Sequence, residues 1–240
     1  MQEKLTDRRY WVEYWANYQY EKIPSRVVYE DYLPLCQGAS SFIEIGGFPG
    51  INALYFYKHV CPDVSLLDFY CDREMVNELE RRNGIPCNTV KCLEADFFQY
   101  TSDRKYDIVF SHGFIEHFQD TTDVIARHVR LLSDSGRLLI VLPNFRGING
   151  GIQWLFDRQN LKAHHLQSMD VKFLRRIAQE LGLKEVKVEY TRKPVVWLEP
   201  KPCLVNRIFR LPVRLLSYAL KLFPVKGRLL SPYILLTARK

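Results

Sequence analysis

The stretch FIEIGGFPGIN, residues 42–52, decides the fold. Its apolar half, FIEI, predicts a buried strand, and the glycines and proline within residues 46–50 predict a tight turn. Glycine lets the backbone approach a bound ligand closely, because it has no side chain. From Ile51 onward the pattern becomes helical. The stretch therefore predicts a strand, a ligand-binding loop and a helix, in that order.

The same alternation of strand and helix continues along the chain. Strands are predicted at SFIEI, VSLLDFY, CNTVKCLEADFF, KYDIVFSHGF and RLLIVLPNF, with helices at GINALYFYKHV, REMVNELERRNG and TTDVIARHVRLLSDSG. After residue 150, VKFLRRIAQELGL predicts a helix, and KEVKVEY and SPYILLTARK predict two more strands. Such apolar strands alternating with helices are typical of a doubly wound, mostly parallel sheet with helices on both faces. The predicted fold class is α/β.

Three successive strands end in a carboxylate: Glu44, then Asp68 after 24 residues, and Asp96 after another 28. The carboxyl ends of parallel strands share one edge of the sheet, where ligands bind. A P-loop would require a lysine and a hydroxyl residue after its last glycine, but Ile51 and Asn52 follow Gly50. A dinucleotide site would require G-x-G-x-x-G without an acid before it. Each acid alone also fits a turn or a helix cap. Together they favour a ligand with a cationic end, a ribose and an adenine.

These motifs resemble those of class I S-adenosylmethionine (SAM)-dependent methyltransferases of the small-molecule type. IEIGGFPG resembles the first, glycine-rich motif, and LLDF and EADFF resemble the acids of the second and third strands. FSHGFIEHF and LLSDSGRLLIVLPN resemble the fourth and fifth motifs. One departure is Phe48, which stands where the family has its middle glycine. The resemblance implies a Rossmann-like, seven-stranded sheet and SAM as the cofactor. The residues that it implies for cofactor binding are Glu44, Gly46, Gly47, Phe48, Gly50, Asp68, Phe69, Asp96, Phe97, Ser111, His112 and Gly113.

Within that resemblance, Glu44 is expected near the ammonium group of the cofactor, usually through the loop or a water molecule. Asp68 is expected at the ribose hydroxyls and Asp96 at the adenine amino group. Methylation of a hydroxyl needs a base, for which His112, His117, His164 and His165 are candidates. We favour His117 or His165 as catalytic residues, with Glu116 as a partner. Packing or hydrogen bonding is the alternative role for each of these histidines.

A divalent metal is a further ligand to consider at the same motif. Related ubiquinone-pathway and small-RNA methyltransferases hold a metal with Glu-x-x-Glu-His and a later histidine. Gly113 stands in place of the first of those glutamates, which leaves Glu116, His117 and His165. We expect no metal.

The charge is unevenly distributed along the 240 residues. The net charge is +7, but the nine lysines and arginines of residues 201–240 have no acid among them, whereas residues 1–200 hold 25 basic and 27 acidic residues. Within that segment a helix is predicted with one basic or polar row and an apolar remainder. The members of the basic or polar row are Arg207, Arg210, Arg214, Ser217 and Lys221. Pro212 is expected to kink this helix or to begin a second one. Residues 203–223 therefore form either a lid or dimer element, or a membrane-surface helix.

The domain organisation follows from these patterns. Residues 1–40 are expected to form a helical cap with an aromatic row at Tyr10, Tyr14 and Tyr18. Residues 41–200 and 229–240 form the predicted methyltransferase core, and 201–228 a basic amphipathic insertion before the last strand. The charged first residues and six cysteines without a C-x-x-C pair indicate a cytoplasmic protein. Membrane contact would place it at the inner face of the membrane.

The predicted function is SAM-dependent methylation, on oxygen, of a small or lipid-linked acceptor. An RNA-modifying methyltransferase and a non-catalytic partner subunit with this fold are the alternatives. Nucleic acid is the less favoured partner, because exposed aromatic residues do not alternate with the basic ones. The sequence leaves the oligomeric state open.

Overall fold

The computed structural model describes residues 15, 18–198, 204–223 and 225–240. Seven strands form one sheet: β1 (Ser41–Ile45), β2 (Asp63–Asp68), β3 (Lys91–Glu94), β4 (Tyr106–His112), β5 (Leu132–Pro143), β6 (Lys184–Thr191) and β7 (Tyr233–Arg239). Their order is β3-β2-β1-β4-β5-β7-β6. Neighbours from β3 to β5 are parallel, and β7 runs antiparallel to both β5 and β6. The predicted mostly parallel seven-stranded sheet is confirmed.

Seven α-helices accompany the sheet in the described residues. They are α1 (Ile51–His59), α2 (Arg73–Arg82), α3 (Thr121–Leu131), α4 (Ile148–Phe156), α5 (Arg158–Lys162), α6 (Val171–Glu180) and α7 (Leu204–Leu220). Short 3-10 helices lie at Glu30–Cys36, Ile115–His117 and Leu166–Met169. Asp72, Asp120, Asp157 and Asp170 accept backbone N–H groups at the beginnings of α2, α3, α5 and α6. These side-chain caps fix where the helices begin.

The core consists of two layers, one on each face of the sheet. Residues of α1 and α2 pack with Phe42 on one face, and residues of α3 and α6 pack with Ile43 and Ile45 on the other. Alternate residues of β1 therefore point to opposite layers, as the period of a strand requires. Both faces of the sheet are covered, which explains why its strands are apolar throughout.

Two elements differ from their sequence-based expectations, whereas β3 ends before Asp96 as expected. β3 ends at Glu94, which pairs with Asp68, so Asp96 lies two residues beyond the strand. β5 begins at Leu132 instead of near Arg137, with an irregular register against β4. α7 continues through Pro212, so a second helix does not begin there. Proline is accommodated there because the helix is exposed on most of its circumference, although it removes one backbone hydrogen bond.

Part of the N-terminal prediction lies outside the described residues. Tyr10 and Tyr14 are among the residues not described, whereas Trp15 and Tyr18 make an edge-to-face contact at 5.3 Å between ring centres. Trp15 also contacts Phe48 at 5.5 Å. Cys203 is outside the described residues too, and the other five cysteines are free thiols.

Candidate active site

A cleft opens at the carboxyl ends of β1, β2, β3 and β4. It encloses about 680 Å³, including the solvent at its mouth. The residues that line it are Trp15, Gly46, Leu67, Asp68, Phe69, Ala95, Asp96, Phe97, Phe98, Gly113, Phe114, His117 and Phe118. Six of these thirteen are aromatic, and two are aspartates from the ends of neighbouring strands. Such a cleft suits a flat ligand that also carries hydroxyl groups.

Neighbouring side chains leave no room for a Cβ atom at two glycines of the loop after β1. Gly46 adopts a φ of +65°, and a Cβ added there would lie 2.1 Å from Cδ2 of Phe114. A Cβ at Gly47 would lie 2.0 Å from Cδ of Glu44. Gly46 N–H donates to the Leu67 carbonyl at 2.8 Å, which ties the loop to β2. Contacts within the protein therefore exclude larger residues at positions 46 and 47, whether or not a ligand is bound.

Glu44 lies behind this loop and does not line the cleft. Its carboxylate is fully buried and accepts hydrogen bonds from Asn52 Nδ2 at 2.8 Å and from the Ala53 N–H at 2.9 Å. Burial raises its pKa to about 8, against the lowering effect of those two donors. The first turn of α1 engages both carboxylate oxygens, and the expected position of Glu44 near the ammonium end of the cofactor, through the loop or a water molecule, stays a prediction. Glu44 holds the loop against α1.

Asp68 lines the cleft at the end of β2. Its Oδ2 accepts the Phe48 N–H at 3.0 Å, and its Oδ1 accepts the Tyr70 N–H at 3.2 Å. Burial is the main cause that raises its pKa to about 6, and the nearby Glu94 carboxylate adds to the rise. The Phe48 contact fixes the glycine loop relative to the carboxylate. Asp68 is thus charged at neutral pH and positioned to accept hydroxyl groups.

Asp96 and a cluster of aromatic rings form the adjoining wall. Asp96 Oδ1 accepts the Phe98 N–H at 3.0 Å, which folds the chain into a turn beyond β3. Phe97 contacts Phe114 edge to face at 5.4 Å, and Phe69 lines the same cleft. An adenine ring packs well against aromatic side chains, with a carboxylate available for its amino group. The predicted pairing of Asp68 with Asp96 in one cleft agrees with the structure.

Phe48 does not occupy the cleft. Its side chain is buried and contacts Trp15 at 5.5 Å and Tyr70 at 5.2 Å between ring centres. Gly47 and Gly50 are also absent from the cleft lining, and Gly50 precedes α1 with a φ of +102°. The departure from the family motif at Phe48 thus adds a ring beside the cleft without filling it.

The end of β4 contributes one of its three expected residues to the cleft. Gly113, with a φ of +68°, lines it, whereas Ser111 is buried and His112 contacts Tyr233 at 5.7 Å on another side. Burial lowers the pKa of His112 to about 4. Ser111 and His112 do not line the cleft, and cofactor contact by these two residues stays a prediction.

Glu116, His117 and His164 form a group of which His117 lines the cleft; Glu116 and His117 are buried and His164 is half-buried. One potential ligand atom from each lies within 4.8 Å of the others. His117 Nδ1 lies 3.0 Å from the Ala163 carbonyl, and His164 Nδ1 lies 2.6 Å from the Asn160 carbonyl. Burial raises the pKa of Glu116 to about 8 and lowers that of His117 to about 3, where His164 adds to the lowering. Neither Glu116 oxygen has a hydrogen-bond partner among the described residues.

These three side chains are a donor set that a divalent transition metal accepts, namely one carboxylate and two imidazoles. The third member is His164, not the expected His165. His165 contacts the group through its backbone, since its N–H donates to the Glu116 carbonyl at 2.7 Å. Its Nδ1 lies 3.4 Å from Thr121 Oγ1, and its ring does not line the cleft.

A comparison with family models decides the assignment. The model described as "Methyltransferase domain" matches residues 14–188, well over half of the chain. The chain belongs to this methyltransferase family. The methyltransferase had no match in the comparison with curated proteins.

Solved structures share the fold of the methyltransferase. A SAM-dependent methyltransferase from Archaeoglobus fulgidus has 16% identity and a TM-score of 0.57, over 88% of this chain and 91% of the other. The plantazolicin methyltransferase BpumL, in complex with SAH, has 13% identity and a TM-score of 0.55, over 89% and 80%. Phosphoethanolamine N-methyltransferase 2 of Haemonchus contortus, in complex with SAM, has 17% identity and a TM-score of 0.54, over 85% and 49%.

The methyltransferase is thus an enzyme that uses SAM as its cofactor. The residues of the cleft fit this cofactor: Asp68 would accept the ribose hydroxyls, and Asp96 and the rings of Phe69 and Phe97 would hold the adenine. Sequence reasoning missed several lining residues, namely Trp15, Leu67, Ala95, Phe98, Phe114 and Phe118. Most of them lie within two residues of a predicted site residue, so the signal available was their proximity to the strand ends.

Proposed function

We propose that the enzyme transfers the methyl group of SAM to a hydroxyl oxygen of a small or lipid-linked acceptor, with His117 as the general base. SAM supplies a methyl group on a sulfonium, which is already a good leaving group. The acceptor oxygen forms a bond to the methyl carbon as the carbon–sulfur bond breaks. The hydroxyl proton passes to His117, whose task is to accept it as the oxygen attacks.

The position of His117 is the observation that supports this role. Among the described residues, three ionisable side chains line the cleft, namely Asp68, Asp96 and His117, and His117 is the imidazole among them. The Ala163 carbonyl lies 3.0 Å from Nδ1, so the Nδ1 atom carries the proton and the lone pair is on Nε2. Burial lowers the pKa of His117 well below pH 7, so the imidazole is neutral there but is a weak base, and the proton passes to it only as the oxygen attacks the methyl group.

His165 supports the base indirectly in this proposal. Its backbone N–H holds the carbonyl of Glu116, immediately before His117, while its side chain faces Thr121 outside the cleft. Replacing the His165 side chain retains that backbone contact. His165 is therefore the matched control for His117.

The test uses methyl-labelled SAM with a cell extract divided into water-soluble and lipid-soluble fractions. We expect His117→Gln to reduce labelling of the acceptor by about 100- to 10,000-fold, the usual contribution of a general base. We expect SAH binding by calorimetry to change little in His117→Gln, and His165→Gln to label at nearly the wild-type rate. Wild-type labelling by His117→Gln would refute the base, and mass spectrometry that locates the label on nitrogen would refute O-methylation. Label found on RNA in the water-soluble fraction would favour the RNA-modifying alternative.

A further inference from the structure

Helix α7 turns an apolar row away from the protein. Leu204, Ile208, Leu211 and Leu215 follow each other at intervals of four, three and four residues, which places them on one side of the helix. All four are exposed, with 71%, 61% and 59% of the surface of Leu204, Leu211 and Leu215 accessible. Soluble proteins rarely expose so many large apolar side chains together.

The opposite side of α7 is the one that packs on the protein. Its buried residues are Asn206, Val213 and Ser217. Ser217 Oγ accepts the Val196 N–H at 3.3 Å, and Val213 packs with Val196 and Leu198 in a small core. Ser217 thus belongs to the buried side and not to the basic row in which its spacing had placed it. The helix is anchored by small and polar residues while its leucines face outward.

Helix α4 contacts α7 and carries further exposed apolar residues. Phe156 stacks on Phe209 of α7 with ring centres 4.4 Å apart, so the two helices are in contact. Trp154 and Leu155 of α4 are 54% and 58% exposed. We define the apolar face as the exposed residues Trp154, Leu155, Leu204, Ile208, Leu211 and Leu215.

Basic side chains flank the apolar face. Arg207, Arg210 and Arg214 are exposed along one flank of α7, and Lys221 is exposed directly after the helix. Residues 201–240 contain no acid to neutralise them. At the beginning of α5, the guanidinium of Arg158 lies 4.6 Å from the ring centre of Trp154 on α4. Cationic and aromatic side chains at the border of an apolar face are typical of helices that lie in a lipid–water interface.

We propose that the apolar face docks on the surface of an anionic lipid bilayer, with the leucines of α7 in the acyl boundary and the flanking arginines at the lipid phosphates. Docking of this kind leaves α7 parallel to the bilayer. Among the described residues no helix is both long enough and apolar enough to span a membrane. The proposal does not depend on which atom the enzyme methylates.

The charges favour lipid over a second copy of this chain. A symmetric dimer would bring two copies of the same patch together, and the patch offers no carboxylate to face its own arginines. A lid over the cleft is disfavoured because α7 contributes no residue to the described cleft lining, and its leucines face away from the protein. Anionic headgroups complement the basic flank, at about 1 kcal/mol per basic residue, which corresponds to roughly fivefold in partitioning.

A row of ring contacts connects the cleft to this part of the protein. The ring centres of His117 and His164 are 4.8 Å apart, those of His164 and Phe145 are 4.8 Å apart, and those of Phe145 and Trp197 are 5.8 Å apart. Trp197 is next to Val196, which contacts α7. These rings therefore connect His117 to the buried side of α7.

The experiment is co-sedimentation of the full-length chain with vesicles of phosphatidylcholine alone or mixed with phosphatidylserine. We expect pelleting with the mixed vesicles, weakened by high salt. Leu211→Glu with Leu215→Glu should reduce the bound fraction at least tenfold, because these side chains are replaced by charges. Replacement of Arg207, Arg210 and Arg214 by glutamine should reduce partitioning roughly 100-fold.

Matched controls separate docking from general effects of charge. Leu35→Glu changes an exposed leucine outside the apolar face, and Lys58→Gln with Lys172→Gln and Lys184→Gln removes three exposed charges elsewhere. These controls should pellet like the wild type, and all variants should retain their circular dichroism spectrum and SAH binding. Equal pelleting of the α7 variants and the wild type would overturn the proposal. So would failure of the wild type to pellet, or a concentration-dependent dimer that the Leu211 and Leu215 changes dissociate without any vesicle binding.

Discussion

Gly46→Ala tests the most constrained contact of the glycine loop. The new Cβ would lie 2.1 Å from Phe114 Cδ2, and the backbone at Gly46 has a φ of +65° that residues with a side chain adopt at a cost. The conformational term is about 1 kcal/mol, and forcing a methyl group into occupied space adds about 1–3 kcal/mol. We expect the free energy of unfolding to fall by about 2–4 kcal/mol.

A second variant separates these two terms. Phe114→Ala removes the ring that the methyl group would overlap, and alone costs about 1–3 kcal/mol because Phe114 is only half-buried. In the double variant the overlap is absent, so its loss should be smaller than the sum of the single losses by about 1–3 kcal/mol. Urea unfolding monitored by tryptophan fluorescence and circular dichroism measures all four proteins. Additive losses would refute the argument, since they would show that Phe114 does not restrict Gly46.

Three further changes test the roles of individual carboxylates. Asp68→Asn should weaken SAH binding at pH 8 by at least tenfold in calorimetry. Because the pKa of Asp68 is about 6, the SAH affinity of the wild type should fall below pH 6, whereas the affinity of the variant should not change with pH. Unchanged SAH affinity in the variant would count against the ribose contact. Burial raises the pKa of Glu44 to about 8, so Glu44 stabilises the fold fully below its unfolded-state pKa near 4.5, and this stabilisation is lost as the pH rises through 8. The Tm of Glu44→Gln should therefore decline less over this pH range than the Tm of the wild type. Curves of Tm against pH that run parallel for the two proteins would contradict this. Glu80 is buried and accepts the Asn88 and Val90 N–H groups, each at 2.8 Å. Glu80→Ala should therefore lower the free energy of unfolding, measured with urea, by about 2–4 kcal/mol. A decrease below about 1 kcal/mol would disprove its structural role.

The strand-end aspartates could be predicted from the sequence, whereas the role of Glu44 could not. Asp68 and Asp96 follow runs of apolar residues, and a parallel sheet brings such positions to one edge. Glu44 has the same sequence signature, but its side chain points toward α1, where Asn52 and Ala53 bind it. That difference depends on which face of β1 carries the residue, and a strand that is buried on both faces gives no alternation from which to infer it.

Contacts between distant segments account for the other differences. His164 and His165 are adjacent in the sequence, and only the path of the chain between α5 and α6 turns His164 toward His117. The helical spacing in α7 grouped Ser217 with the arginines, but the small core around Val196 buries Ser217. Periodicity identifies the rows of a helix without saying which row the protein covers, because a small polar residue can be buried as readily as a leucine if it finds a hydrogen-bond partner.

The order of the last strands has a consequence for how the enzyme unfolds. β7 lies between β5 and β6, so the hydrogen bonds that attach β6 to the sheet are made to β7, and the chain between them carries α7. Release of β7 would detach β6 at the same time, so the two strands between which α7 is connected would both leave the sheet. In native-state hydrogen exchange, amides of β6 and β7 should therefore open together as one cooperative unit, while β1 and β4 stay protected in the centre of the sheet.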